Sequence, residues 1–526
     1  MLTVLLCAVA AAFYLRASCP GLLAARQNLV IATADAFGEL DPAKAVSLDN
    51  SRSLYSVYET LVRPGDRPGQ VIPWLAESWQ SQENGRIWIF SLRQGILFHD
   101  GSEFNAEAVV KAFSRSWGQE GMRSGAYAFH RALLSECGHP LLLKAKALDP
   151  HTVYIELRKP LVDFLEILAL PALSVTAVPK LANQNTDPEK AWLVGTGPYF
   201  IDECCPGRRL VLQRFEGYWH HSPTWKRLVF LHTASAALRT RQAERGVADV
   251  SFVVGRNGLE RLKAVPEVRL LPHPGRAYWR LVLNCARWPF RDIRCRFGLQ
   301  YAFDKGALVA KYLGTQGEVA YTCLSADSWA YPDGLGEAKC DLAKARSWFA
   351  KAYGKDFDIN AEGPELLYDR DAMGAEDCAE LPDELAKELS QTGLTASVSG
   401  AGSEDYLRRL ATGSFQMALL VGERGVSDPD VELSRQWYDG VASVGLVNTA
   451  NYSSERFIQA LNEARTVSGD DARRKAYARA INYLKEGAAE VPLAWSAVVS
   501  ACRSDIIGIE VNRLNMFDLS EAKIEP

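Results

Sequence analysis

The sequence predicts an α/β protein of several lobes, on three observations. Its 526 residues exceed what one hydrophobic core holds, since single cores stop growing at about 250–300 residues. Stretches patterned as strands interleave with stretches patterned as helices along the whole chain, as α/β folds require. No Pro/Ser-rich linker divides them, which predicts lobes assembled from discontinuous segments and joined by short crossings.

Asn28-Leu-Val-Ile-Ala-Thr33 is a short apolar run, the pattern of a buried strand. After the turn at Gly85, Ile87, Ile89 and Ser91 point one way and Trp88, Phe90 and Leu92 the other. That alternation predicts a strand covered on both faces. Asn105 is a good N-cap for a helix through Phe113, with Val109, Ala112 and Phe113 on one side. Val153–Leu157 returns to strand and Asp163–Leu170 to helix. Arg280–Asn284 reads as strand, followed past Pro289 by one helix from Ile293 to Leu313, with Gly314 at its left-handed C-cap. Asp341 caps the next helix, whose Leu342, Ala345, Trp348 and Phe349 follow helical spacing. A last long helix runs from Asp470 to Lys485 and buries Ala476, Tyr477, Ala480, Ile481 and Leu484.

Met1 to Leu15 are apolar apart from Thr3 and Tyr14. At about 1.5 Å per residue this stretch is short for a hydrocarbon core of about 30 Å. It suits the apolar region of an export signal, so residues 1–19 are assigned as an export signal or N-terminal anchor. No Lys or Arg precedes the run, and Arg16 stands where a lipid-attachment sequence ending at Cys19 carries Leu, so acylation of Cys19 stays open.

A net charge of -4 lacks the basic footprint that a phosphate backbone demands, which excludes nucleic acid as the partner. Of the eleven cysteines, Cys7 and Cys19 fall in the leader, and no Cys-x-x-Cys occurs. The remainder read as small buried hydrophobes, with one disulfide left open. There is no Gly-x-x-x-x-Gly-Lys-Ser/Thr loop, no His-Glu-x-x-His and no Gly-x-Ser-x-Gly elbow, so no catalytic residue and no cofactor is assigned. His220-His221, beside Trp219, reads as a surface pair in a turn, not as metal ligands.

Several blocks carry a likeness. They are Tyr58-Glu-Thr-Leu-Val-Arg63, Ile72-Pro-Trp-Leu-Ala-Glu-Ser-Trp79, and Gly85 through Phe98-His-Asp-Gly101. Val194-Gly-Thr-Gly-Pro-Tyr199 follows, with Tyr218-Trp219 beyond it, then Asn284, Pro289-Phe290-Arg-Asp292-Ile-Arg294 and Tyr301-Ala-Phe-Asp304. In this order and spacing the chain resembles the family 5 extracellular solute-binding proteins, which include oligopeptide-, dipeptide- and nickel-binding receptors of ABC importers. The resemblance covers nearly all of residues 28–526. Each block also has a structural reading: Trp74, Trp79, Trp88 and Phe98 as core anchors, Gly101, Gly195 and Gly197 as turn formers, Asp292 and Arg294 as an ion pair. The shared blocks therefore mark a scaffold and do not read the ligand.

The resemblance implies a periplasmic-binding-protein type II-like clamp, two α/β lobes closing about a hinge with an additional domain. Lobe I then comprises residues 27–58, 183–282 and 500–526, inserted domain II residues 59–182, and lobe III residues 283–499. It further implies an exported, non-enzymatic monomer of the periplasm or cell envelope. Its partners are a peptide or similar small solute and ABC permease subunits in the membrane. Val46, Ser47 and Leu48 lie where the family pairs a strand with the ligand, and Tyr127 where a pocket tyrosine is common. Tyr278 and Trp279 are further candidates for the cleft or for the core.

One stretch departs from the family. Its peptide receptors carry a Trp, two residues, an Asp that holds the peptide α-ammonium, and an Asp/Glu-Pro beyond. Anchored on Asp428-Pro429, the Trp position falls on Gly422 and the Asp position on Gly425. Glu423 and Arg424 are left to refill the site, Arg424 favouring an anion, and Asp428 completes the candidate set. A sensor or regulatory binding module without transport is the alternative reading, and a hydrolase a more distant one.

Overall fold

The computed structural model describes residues 27–525 except 45–47, 68, 118–134, 137–138, 178–193, 336–338, 355–360, 376–377, 425–428, 438–447 and 468. The leader with Cys19, and Val46, Ser47, Tyr127, Gly425 and Asp428, lie outside the described residues.

The chain opens with strand β1 (Asn28–Thr33) and helix α1 (Leu48–Leu54). It then builds a separate antiparallel sheet from β2 (Ala76–Gln82), β3 (Ile87–Leu92), β4 (Leu142–Asp149) and β5 (Thr152–Leu157), in the order β2-β3-β5-β4. Helix α2 (Ala106–Trp117) packs on this sheet. Its cap is the expected one, with Asn105 Oδ1 accepting the Ala108 N–H at 3.0 Å. Past residue 193 the chain returns to β1. The hairpin β6 (Tyr199–Cys205) and β7 (Arg209–Arg214) leads to β8 (Arg227–His232), and β9 (Val250–Ser251) lies on the other side of β1. Both β8 and β9 run parallel to β1.

The sixteen-residue strand β10 (Val268–Leu283) then carries the chain into a second body. That body contains α3 (Ile293–Gln300), α4 (Lys305–Tyr312), β11 (Gly317–Val319), α5 (Leu342–Tyr353), β12 (Ala361–Asp369), β13 (Leu394–Ala401) and β14 (Met417–Arg424). Helices α6 (Pro429–Trp437), α7 (Glu455–Thr466) and α8 (Asp470–Gly487) follow. Strand β15 (Glu490–Arg503) brings the chain back. One eleven-stranded sheet runs through both bodies in the order β6-β7-β8-β1-β9-β15-β10-β14-β12-β13, with β11 beside β15.

The single helix expected from Ile293 to Leu313 is two helices. Asp304 ends the first possibility: its carboxylate accepts the Ala307 N–H at 2.9 Å and caps a new helix instead of continuing the old one. Gly314 does take the left-handed conformation, at φ +51°. The eight described cysteines outside the leader are all free thiols.

Burial divides among several clusters. Lobe I packs Leu29, Ile31, Leu212, Phe230 and Val250 together with Phe517, Leu519 and Ala522 from the chain's end. The β2–β5 domain packs around Phe90, Phe113, Trp117 and Phe164 and also takes in Val431, Leu514 and Met516. In lobe III both sheet faces are buried, by Leu281, Phe290 and Phe349 on one side and Tyr278, Phe457 and Trp495 on the other.

The sequence blocks meet at one buried carboxylate. Glu59 Oε1 accepts from Trp74 Nε1 at 2.7 Å and from the Tyr218 hydroxyl at 2.9 Å. Its Oε2 accepts from the Thr196 hydroxyl at 2.8 Å and Trp219 Nε1 at 3.0 Å. Arg63 lies over the Trp74 ring at 3.5 Å and pairs with Asp518 at 2.8 Å. His99 joins the same junction, its Nε2 against the Gly197 carbonyl at 2.9 Å and its Nδ1 accepting the Gly195 N–H at 3.3 Å. Gly195 is required by close approach, not by a turn angle: a Cβ there would stand 2.1 Å from the Val57 carbonyl oxygen. Glycine thus lets the 194–199 segment lie flat on the chain leading from α1.

Candidate functional site

Strands β10 and β15 are the two chain crossings between the lobes, and their pairing is interrupted there. Register shifts between Pro272 and Arg276 on β10, opposite Val499 and Ala497 on β15. His273, Pro274 and Gly275 fill the interruption and Pro272 borders it, so the ladder loses donors where the strands must bend. Gly275 is pressed against the end of β14: a Cβ would lie 2.0 Å from the Arg424 carbonyl oxygen. Asn515, itself at φ +61°, accepts the Gly275 N–H at 2.9 Å and donates to the Arg424 carbonyl at 3.4 Å.

A charged contact spans the seam beside this crossing. Arg52 of α1 has a fully buried side chain and donates from Nε to the Asn515 carbonyl at 2.9 Å. Its guanidinium pairs with Glu423 on β14, with Nη1 to Oε1 at 3.3 Å and Nη2 on Oε2, and with Asp49 at 3.1 Å. Burial opposes the charge of Arg52, but Glu423 and Asp49 outweigh it and raise its pKa above the usual value. Next to Glu423, Arg424 pairs with Glu432 of α6 at 3.2 Å. A cavity of about 30 Å³, room for about one water, lies here among Arg276, Ser325, Ser328, Arg424 and Glu432.

The residues singled out from the sequence therefore fall in three places. Glu423 and Arg424 sit at the seam, each engaged by a protein counter-ion. Leu48 opens helix α1 instead of lying in a strand, and it packs against the β2–β5 domain core. Tyr278 and Trp279 are core residues on opposite faces of β10. Tyr278 is 1% exposed, stacks on Trp495 at 4.4 Å and donates to Glu490 at 2.9 Å. Burial and then the Glu490 charge push its phenol well above the ordinary range. Trp279 Nε1 donates to the Ser496 hydroxyl at 2.9 Å. Arg52 and Asn515 were not found from the sequence, and no local pattern marks either one.

Two further features have the chemistry or the volume of a site. His273 and Ser500 are hydrogen-bonded at 2.8 Å, the spacing of a nucleophile and its base. Ser500 is 0% exposed, however, and its hydroxyl already accepts the Val253 N–H at 2.9 Å. Burial, with Arg52 adding to it, lowers the His273 imidazole to about 3. The pair ties the crossing together and offers no nucleophile to a ligand. A cavity of about 470 Å³ lies at the Glu490 end of β15, lined by Tyr301, Tyr321, Lys344, Trp437, Lys485 and Glu490. It shares Cys323 with the small cavity at the seam, so the two adjoin.

Known proteins share this architecture. The dipeptide-binding protein of Escherichia coli (strain K12) is 25% identical over 494 residues, 89% of each chain. The nickel-binding periplasmic protein of the same organism is 30% identical over 380 residues, 69% of each chain. The ABC transporter-associated periplasmic binding protein DppA of Helicobacter pylori, solved with the peptide STSA, superposes with a TM-score of 0.86 at 21% identity. That match covers 95% of this chain and 98% of the other, and it shows the fold. Among the described residues no helix is long and apolar enough to cross a membrane. The model of the bacterial extracellular solute-binding proteins, family 5 Middle, matches residues 70–443, a span that holds β2–β5, the β10 crossing and β14. With two lobes, an added domain and a seam crossed by two strands, the chain belongs to family 5 of the bacterial extracellular solute-binding proteins.

Proposed function

We propose that this protein is the extracytoplasmic receptor of a peptide-type ABC importer. It captures a peptide or similar small solute between its lobes and presents the closed form to a membrane permease. The leading observation is the double crossing of β10 and β15, interrupted at Pro272–Arg276, which leaves the lobes joined by a bendable pair of strands. The relatives named for dipeptide binding and solved with a bound peptide support the ligand class. Export through the segment at residues 1–19 belongs to the same reading.

Adding a pool of di- to tetrapeptides, Ser-Thr-Ser-Ala among them, should lower the radius of gyration in solution scattering and raise the melting temperature. Superimposable scattering curves with a saturating, tightly bound peptide would remove the clamp mechanism. Recognition should not depend on a free ligand α-amino group. The position that supplies its carboxylate in the family is Gly425, and Glu423 is already paired with Arg52. Matched free and N-acetylated peptides should therefore bind alike in calorimetry. A loss above about 2 kcal/mol on acetylation, the scale of a charge-assisted hydrogen bond, would contradict this.

A further inference from the structure

We infer that His220, His221 and Glu521, all exposed, form a surface binding site for a divalent transition-metal ion. Their donor atoms all lie within 4.8 Å of one another. Two imidazoles and one carboxylate suit zinc, nickel or copper, with bonds of about 2.0–2.2 Å, and leave at least one position for water. At such bond lengths neighbouring ligand atoms are about 3.3 Å apart, so the exposed side chains must close in by χ rotation to hold an ion.

The convergence is not a matter of chain proximity, because Glu521 comes from the far end of the sequence. Both backbones are anchored. The His220 ring stands against Trp74 at 5.4 Å and Trp219 at 5.3 Å, and Trp219 is itself hydrogen-bonded to Glu59. The segment before Glu521 is held by the Arg63–Asp518 pair, and the Ser520 N–H donates to Asp518 at 3.0 Å. Supported first ligands of this kind lower the ordering cost of capturing an ion. A bound ion would fasten the C-terminal segment to the Tyr218–His221 turn. The reading of the His pair as a mere surface turn rested on residues 219–221 alone and could not include Glu521.

Calorimetric titration of the full protein with Zn²⁺ and with Ni²⁺, each as the free salt, tests the site. One ion should bind at these residues and raise the melting temperature. His221→Ala and Glu521→Gln, both substitutions of exposed side chains, should each weaken binding by roughly tenfold or more. Unchanged circular dichroism in both variants keeps the comparison valid. No binding of either ion, or unaltered affinity in both variants, overturns the proposal, the second result placing the ion elsewhere.

Discussion

Glu59 is the residue on which most of the recognisable sequence converges. It accepts two indole N–H groups, a phenol and a hydroxyl from three separate stretches of chain, and its side chain is fully buried. Glu59→Ala would strand four donors and leave Arg63 with Asp518 as its remaining counter-charge, an injury of about 3–5 kcal/mol. Urea unfolding should show it, and a change below about 1 kcal/mol would mean the junction re-forms around water. His99 makes the same junction sensitive to acid. With Nδ1 accepting from Gly195, the ring must be neutral with its proton on Nε2, and burial lowers its pKa to about 4. The unfolded imidazole titrates near 6.5, so the stabilising contribution is complete above that pH and is lost as pH falls towards 4. The protein should lose about 2 kcal/mol at this residue between pH 7 and pH 4.5. His99→Gln, whose amide can still donate to Gly197, should show a smaller acid dependence in the same titration. An identical pH profile would count against the neutral buried ring.

At the scale of elements, regular structure was legible wherever side-chain periodicity decided it. Strand β3 was readable because Trp88 and Phe90 alternate with Ile87 and Ile89, and helix α2 because Asn105 caps an apolar face. The helix break between α3 and α4 was not, because apolar spacing continues through Ala302 and Phe303 and only the Asp304 cap ends it. The candidate site was hardly legible at all. Arg52 and Glu423 are 371 residues apart, and neither lies in a repeating pattern, so their meeting is a product of the sheet topology. Tyr278 and Trp279 were ambiguous for another reason: a large aromatic in a strand between two layers looks the same in sequence as one facing a cleft. The crossing itself carries a clear expectation. Gly275→Ala forces a Cβ to 2.0 Å from the Arg424 carbonyl oxygen, and relief requires β10 to move away from β14. A loss of about 1–3 kcal/mol in unfolding free energy is expected, with weaker ligand binding. Full stability together with full affinity would show that the strands are not in register contact there.

For the molecule as a whole, the Arg52–Glu423 contact joins helix α1, early in the chain, to strand β14 of the second body. Glu423→Gln leaves a buried guanidinium short of one counter-charge and should shift the ligand-free protein towards an open form, seen as a larger radius of gyration. An unchanged radius would assign the pair to lobe packing alone. The sheet has another consequence, one that concerns the making of the protein. Lobe I starts with β1 at Asn28, yet its core is finished by Phe517, Leu519 and Ala522. Synthesis from the N-terminus therefore yields the first lobe last. Until the tail arrives, the apolar face around Leu29 and Phe230 lacks Phe517, Leu519 and Ala522, and an incompletely covered face invites association with other unfinished chains. Cutting the chain short at Ile506 is accordingly an injury to its opening lobe, inflicted from the opposite end of the gene.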